Sequence, residues 1–327
     1  MNDQKRRILV VTSGALFVRG GHITIAEETA AALRRAGYLS DVLVTPQNRF
    51  GRQLPAYLSN WLTDVGETAD GHPIDQVISL RFPSYAVRHW HHVCWLNHRM
   101  REYYDLWERF TRGLGRRGRF KEGIRRRIFH TLDGWLLRRN VTRLIAQSRT
   151  IQARLQRFGG LESELLYPPP PLRPYRTDRY GDYVFAVSRL HPLKRLGLLV
   201  EAVARMRDRT LHFKIAGEGE GGAALRERIK DLGLEGRVEM LGAVTEAELV
   251  DHLAGCRAVY FAPWNEDYGF VTLEAFASGK AVVTTTDSGG PAELVGHDRT
   301  GFVAPPTPEG VAESLDLPHT PLVPLRS

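Results

Sequence analysis

A chain of 327 residues is long enough for roughly two domains, each burying its own core. Its 43% hydrophobic and 25% charged residues are ordinary for a globular protein. No apolar run approaches the roughly 20 residues needed to cross a bilayer, and a net charge of +8 leaves anionic partners to be judged from local pattern.

In chain order, Ile8 to Thr12 predicts a buried strand. Lys5-Arg6-Arg7 ahead of it imitates a secretory signal. The apolar run breaks at Thr12-Ser13-Gly14, however, and no small-residue cleavage site follows, so a cytoplasmic protein is expected. Helical spacing runs from Ile23 to Ala36 and stops at Gly37. Strands are expected at 41–45, 75–80, 92–96 and 143–146. Tyr167-Pro168-Pro169-Pro170-Pro171 then interrupts the pattern, because four consecutive prolines can be neither helix nor central strand. Strands resume at 183–187, 211–216, 238–241, 258–262 and 281–285, with a helix from Leu196 to Met206. Such alternation predicts two doubly wound α/β domains. The expected division is a first domain over 1–166, a hinge over 167–178, a second domain over 179–310 and an irregular tail over 311–327. Cys94 and Cys256 stand alone in apolar settings and are expected to be buried and reduced.

The most informative stretch is Glu266-Asp267-Tyr268-Gly269-Phe270-Val271-Thr272-Leu273-Glu274-Ala275. Two carboxylates flank a glycine where an apolar strand passes into a helix. Gly269 opens the turn, and the N–H groups near Gly269, Phe270 and Val271 would attract a phosphate. Glu274, one turn inside, is placed to accept from a sugar hydroxyl. A capped surface helix with two solvated acids is the competing reading. Against it, Ser278-Gly279 stops the helix, another buried strand follows, and Asp287-Ser288-Gly289-Gly290-Pro291 makes a second glycine-rich turn. Successive turns at the same ends of neighbouring parallel strands are where α/β sheets bind ligands. Upstream, Arg189 and Lys194 bracket the loop after the strand 183–187, where a diphosphate would need cations. Gly217, Gly219 and Gly222 satisfy G-x-G-x-x-G, with Glu239 about 20 residues on near a strand end. This keeps an NAD-dependent oxidoreductase as an alternative. Glu218 and Glu220 beside a pyrophosphate, and a complete βα unit ahead of the turn, weigh against it.

The ordered pattern of acid, Tyr-Gly, second acid at the eighth position, small residue-Gly and Gly-Gly resembles the retaining glycosyltransferases of family 4. The resemblance extends from about Ile8 to about Thr307. It implies the GT-B fold, two Rossmann-like domains facing across a cleft, and a hexosyl transfer from a nucleoside-diphosphate sugar to a glycan or lipid-linked acceptor. The resemblance implies retention and no cofactor too, and the absence of an Asp-x-Asp agrees with transfer without a metal. Arg189 and Lys194 would hold the donor diphosphate and stabilise its departure, Glu266 would orient the transferred sugar, and Glu274 would bind the ribose. Gly217 and Gly219 would line the nucleotide pocket, and Gly242 would lie where backbone meets the base. In the first half, Arg19-Gly20-Gly21-His22 separates the first strand from the first helix. The family sets such a loop against the donor phosphates, and a plain tight turn is the competing reading for Gly20 and Gly21. Among the histidines from His89 to His98, no companion acids or cysteines make a metal site. His89, His91 and His92 read as edge or surface residues. His98, just past a strand end, would contact the donor sugar and orient the acceptor.

Between Arg99 and Arg143 fourteen Lys/Arg face five Asp/Glu, so the rest of the chain is nearly neutral. Trp107, Phe110, Phe120, Ile124, Ile128, Phe129 and Trp135 interleave with these cations, a pattern suited to an anionic membrane surface; no nucleic-acid motif accompanies it. One departure from the family stands out: after Val303 it continues through several helices, whereas here Pro318, Pro321 and Pro324 crowd the final residues. A nucleotide-sugar-binding protein impaired by loss of those helices is therefore a further alternative.

Overall fold

The computed structural model describes residues 5–17 and 20–317. It divides into two compact units, Met1–Pro168 and Pro169–Ser327, so the boundary falls inside the proline run.

The first unit runs β1 Arg7–Gly14, α1 Gly21–Arg35, β2 Leu39–Pro46, α2 Gln53–Leu62, β3 Gln76–Ser79, β4 His92–Leu96, α3 Trp107–Thr111, α4 Arg116–Arg139, β5 Arg143–Ala146, α5 Arg149–Gly159 and β6 Glu164–Leu165. Its strands pair in the order β2-β1-β3-β4-β5-β6, all parallel. Val10 and Val11 are adjacent and both fully buried, as expected of a strand covered on both faces. Local chemistry sets the helix ends: the Ser148 hydroxyl accepts from Ile151 N at 3.1 Å to start α5, and left-handed Gly160 ends it.

α4 turns its only two acids inward. The Asp133 carboxylate accepts from the hydroxyls of Tyr57, Tyr85 (2.7 Å) and Tyr104 (2.6 Å). Glu122 accepts from Tyr103 at 2.7 Å. These bonds, with Phe129, Leu136 and Leu137, fix the helix to the aromatic core of the unit. Burial pushes the Asp133 carboxyl above its ordinary range, although the three phenols pull the other way.

The second unit runs β7 Tyr183–Val187, α6 Leu196–Arg205, β8 His212–Ala216, α7 Gly222–Asp231, β9 Val238–Gly242, α8 Glu246–Gly255, β10 Ala258–Tyr260, α9 Phe270–Ala277, β11 Ala281–Thr285, α10 Gly290–Leu294, β12 Gly301–Ala304 and α11 Pro308–Asp316. The parallel sheet has the order β12-β11-β10-β7-β8-β9. Numbered within the unit, that is the Rossmann order, with the reversal between β7 and β10.

Three expectations need correction. The residues from 311 on are not an irregular tail throughout. Thr307 caps α11, Pro308 occupies its first turn, and Val311, Ala312 and Leu315 pack into the core beside α6. The prolines that argued against a helix all come later, and Pro318 to Ser327 lie outside the described residues. His92 is fully buried rather than superficial, held between Ser79 Oγ at 2.7 Å and the Asn140 carbonyl at 3.0 Å. Burial lowers its imidazole to about 4. The strands β6 and β12 were not anticipated, being short and without an alternating pattern. Cys94 and Cys256 are both buried and free.

Candidate functional site

In the second unit the loops that follow β7, β10 and β11 are tied into one platform by backbone hydrogen bonds. Trp264 N donates to Leu193 O (2.7 Å), Asn265 N to Asp287 O (2.8 Å), Glu266 N to Ser288 O (2.8 Å), and Gly290 N to Glu266 O (3.0 Å). Two of these loops leave the strands where the order reverses, the place where such sheets bind ligands.

The side chains on this platform divide by partner. Lys194 Nζ lies 2.8 Å from both carboxylate oxygens of Glu266, and the two side chains are partly exposed. Arg189 is exposed and makes no ion pair or hydrogen bond through its side chain among the described residues. The sequence reading passed over Arg195, which has a different function. Its guanidinium reaches Asp287 through two bonds of 2.8 Å, Thr285 Oγ1 at 2.6 Å, and the carbonyls of Ala262 (2.9 Å) and Pro263 (3.1 Å). It thus joins the ends of three strands. Burial would raise the Asp287 carboxyl, but the Arg195 fork and the Thr285 hydroxyl outweigh it and hold the group below its usual range.

Gly269, at a φ of +91°, precedes α9, and a Cβ there would stand 2.8 Å from a Phe261 ring carbon and 2.9 Å from Pro291. Only glycine fits, and the first N–H groups of α9, around Phe270 and Val271, have no intrahelical acceptor. Glu274 lies inside α9 and is buried. It is met from the connector by Arg173 Nη1 and by the Tyr175 hydroxyl at 3.4 Å. Burial pushes its carboxyl upward, against the pull of Arg173 and Tyr175.

Gly217 and Gly219 are explained first by packing. A Cβ at Gly217 would come within 1.9 Å of Ser188 O, and one at Gly219 within 2.5 Å of Leu190 O. This close approach places the turn against the Arg189 loop. Gly242 closes the same corner, its carbonyl accepting from Gly217 N at 2.7 Å. The dinucleotide alternative loses support here. The glycine turn follows β8, one strand away from the reversal, and Glu239 sits in the first half of β9, paired with Lys214 at 3.8 Å, rather than near its carboxyl end.

In the first unit, Gly20 caps α1, Gly21 opens it, and Gly20 O accepts from Ile23 N at 2.9 Å, while Arg19 lies outside the described residues. His22 is the residue the sequence reading left unused. Its Nε2 is buried without a hydrogen-bond partner, and burial, with Arg81 and His98 nearby, lowers the ring to about 3. His22, Arg81 and His98 therefore gather near the ends of β1, β3 and β4. His98 Nδ1 bonds the Arg99 carbonyl at 2.7 Å. Among the described residues no group of His, Cys, Asp and Glu could hold a metal ion, and no helix is long and apolar enough to cross a membrane.

Residues 176–317 match the family described as "Glycosyl transferases group 1". The alpha-1,3/1,6-mannosyltransferase ALG2 of Mus musculus is 27% identical over 146 residues, 40% of this chain and 35% of that one. The D-inositol 3-phosphate glycosyltransferase of Kineococcus radiotolerans is 31% identical over 174 residues, covering 47% and 38%. The match thus spans little more than a third of these curated relatives. Structural likeness reaches further. HepE of Anabaena, solved with UDP and glucose, has a TM-score of 0.65 at 20% identity, covering 94% of this chain and 89% of that one. WaaG, a glycosyltransferase involved in lipopolysaccharide biosynthesis, gives 0.68 at 16% identity with the same coverage. The chain has the GT-B fold, and its residues 176–317 are similar to the glycosyl transferases group 1 family.

Proposed function

We propose that the protein is a retaining, metal-independent glycosyltransferase of family 4, moving a hexosyl group from a nucleoside-diphosphate sugar to a glycan or lipid-linked acceptor. The observation that carries this reading is the grouping, at the strand-order reversal, of exposed Arg189, the Lys194–Glu266 pair and the uncapped start of α9. In this reading the donor diphosphate lies across Arg189, Lys194 and the N–H groups of Phe270 and Val271, and Glu274 accepts from the ribose. The bond between the anomeric carbon and the diphosphate breaks as the acceptor oxygen bonds the same face, and the acceptor proton passes to the departing phosphate oxygen. Charge develops on that leaving group, so pre-placed cations and amide dipoles lower the barrier there. Glu266, released by Lys194 as Lys194 turns to phosphate, orients the sugar. In this reading His98 contacts the donor sugar and orients the acceptor, and Gly20 and Gly21 bind the donor phosphates. No cofactor is required.

For the acceptor side, the reading includes a cytoplasmic membrane face carrying anionic lipid. Every exposed ionisable side chain of α4 is cationic, and Phe120, Ile124, Ile128 and Trp135 are exposed among them. A second exposed row, Leu54, Leu58 and Leu62, lies on α2, whose Trp61 meets Trp135 at a ring separation of 5.3 Å. Cations attract the lipid and apolar side chains enter it.

The experiment is to offer a panel of UDP-, GDP- and ADP-sugars and follow nucleoside-diphosphate release, with the anomer of the product read by NMR and a chelator present. Turnover of one donor with retention, lost in Lys194→Ala and Glu266→Ala variants that still fold, is the expected result. Binding of NAD and of no nucleotide sugar would overturn the reading.

A further inference from the structure

Arg173 follows the proline run in a segment without regular structure, and its neighbour Leu172 is 68% exposed. Its own side chain is only 15% exposed. The guanidinium spans two acids. Nη1 meets Glu274 Oε1, Nη2 meets Glu246 Oε1 at 3.2 Å, and the Tyr175 hydroxyl joins both Arg173 Nη1 (3.3 Å) and Glu274 Oε1 (3.4 Å). All the hydrogen bonds that Glu274 receives from described residues fall on Oε1. Oε2 receives none from the described residues.

We infer that Arg173, with Tyr175, is a positioning residue for the donor's ribose: it clamps one oxygen of Glu274 and presents the other to the ribose diol. The inference rests on the reading of Glu274 as the ribose acceptor. Three facts favour a clamp over a blockade of the site. A carboxylate has acceptor capacity on both oxygens, and only one is used. Arginine's planar fork, unlike a lysine, is tied at its second nitrogen to Glu246 and so stays in place. A carboxylate this buried also needs a charged partner to remain ionised. Burial raises the Glu274 carboxyl, Arg173 and Tyr175 lower it, and Glu246 raises it slightly, and these are the ionisable groups that face it.

The sign of the pH effect follows. Glu274 accepts best when ionised, above its pKa. Removing Arg173 sends that pKa further up, so ribose recognition should fail as the pH is lowered and return as it is raised.

The test is calorimetric titration of UDP, GDP and ADP, and of the 2′,3′-dideoxy counterpart of whichever binds, from about pH 5.5 to about 9. Wild type should prefer the ribonucleotide. Glu274→Gln should lose that preference at every pH. Arg173→Ala should lose about tenfold of it on the acid side of the profile and regain it at the alkaline end, a shift of about one pH unit in the midpoint. Arg173→Lys, which keeps the cation, should recover part of the preference throughout. An Arg173→Ala protein with the wild-type preference and midpoint, or an Arg173→Lys protein no better than the alanine variant, overturns the proposal. If Glu274→Gln keeps the preference, or wild type has none, the ribose reading itself has failed and takes the proposal with it.

Discussion

Lys194 and Arg195 are neighbours in sequence, and the structure gives them different partners. Lys194 pairs with a partly exposed Glu266, its ammonium 5.6 Å from the centre of the Phe261 ring. An ion pair of that exposure contributes at most about 1 kcal/mol, so Lys194→Ala should lower the melting midpoint of the second unit by no more than roughly 2–4 °C. Turnover should fall by about 10²–10³, the loss typical when one group stabilising a leaving oxyanion is removed. Arg195 is different. Replacing it by Ala leaves the Asp287 carboxylate, the Thr285 hydroxyl and the carbonyls of Ala262 and Pro263 without their common donor. Asp287 can still reach water, which keeps the estimate at the low end, about 3 kcal/mol, or roughly 6–12 °C for a unit of this size.

The pH dependence separates the two further. Asp287 titrates below its ordinary range in the folded protein, so the Arg195 contact stabilises fully above the unfolded aspartate value of about 3.9 and is lost as pH falls through the lower folded value. The gap between wild type and Arg195→Ala should therefore hold near neutrality and close only below about pH 4. Melting followed by circular dichroism, with donor turnover measured below each midpoint, reads both effects. Equal destabilisation by the two substitutions, or an active Lys194→Ala enzyme, would refute the division.

Four other outcomes are expected. Asp133→Ala strands three buried phenols and should destabilise the first unit by about 3–6 kcal/mol in urea titration, with Asp133→Asn milder because its amide oxygen still accepts. Gly217→Ala forces a Cβ to 1.9 Å from Ser188 O at a φ of +128°, and should cost at least about 2 kcal/mol in the same assay. Arg189→Ala should change stability by no more than about 0.5 kcal/mol while weakening nucleoside-diphosphate binding about tenfold by calorimetry. The double variant Ile124→Asp, Ile128→Asp should lose flotation with phosphatidylglycerol vesicles. Wild type should bind these in a salt-sensitive way and ignore neutral vesicles; equal binding to both would remove the electrostatic part of the membrane proposal.

Most of the sheet was legible because parallel strands buried on both faces announce themselves as apolar runs: Val10-Val11, Val184-Phe185-Ala186 and Val282-Val283 are each buried as read. The loops after β7 and β10 were legible for the same reason, since a strand end followed by a cation or a glycine is a local pattern. What escaped was set by distant partners. Nothing near Arg195 in sequence announces Asp287, 92 residues on, and nothing near Arg173 announces Glu274, 101 residues on. Asp133 read as one more charge in a basic helix because its three phenols come from α2, the turn after β3 and the segment before α3. The glycines at 217 and 219 were visible, but a pattern does not say whether a glycine makes room for a ligand or for another loop. α11 was missed because three prolines were allowed to speak for residues that precede them.

The two acids of the signature, eight positions apart, differ most in what holds them. Glu266 is held by a lysine, a single charge on a flexible stem with both oxygens satisfied at 2.8 Å. A diphosphate carries more charge than a carboxylate, so in the proposed mechanism it would compete for that lysine directly, and donor arrival would free Glu266 when a sugar is present to receive it. Glu274 is held by an arginine braced against a second acid, on one oxygen only. A ribose is uncharged and cannot displace that clamp; it can only add to the other oxygen. Binding the donor would thus break one ion pair and leave the other intact. In the proposed mechanism the pair that breaks would lie beside the reacting sugar, and the pair that stays would set where the nucleotide begins.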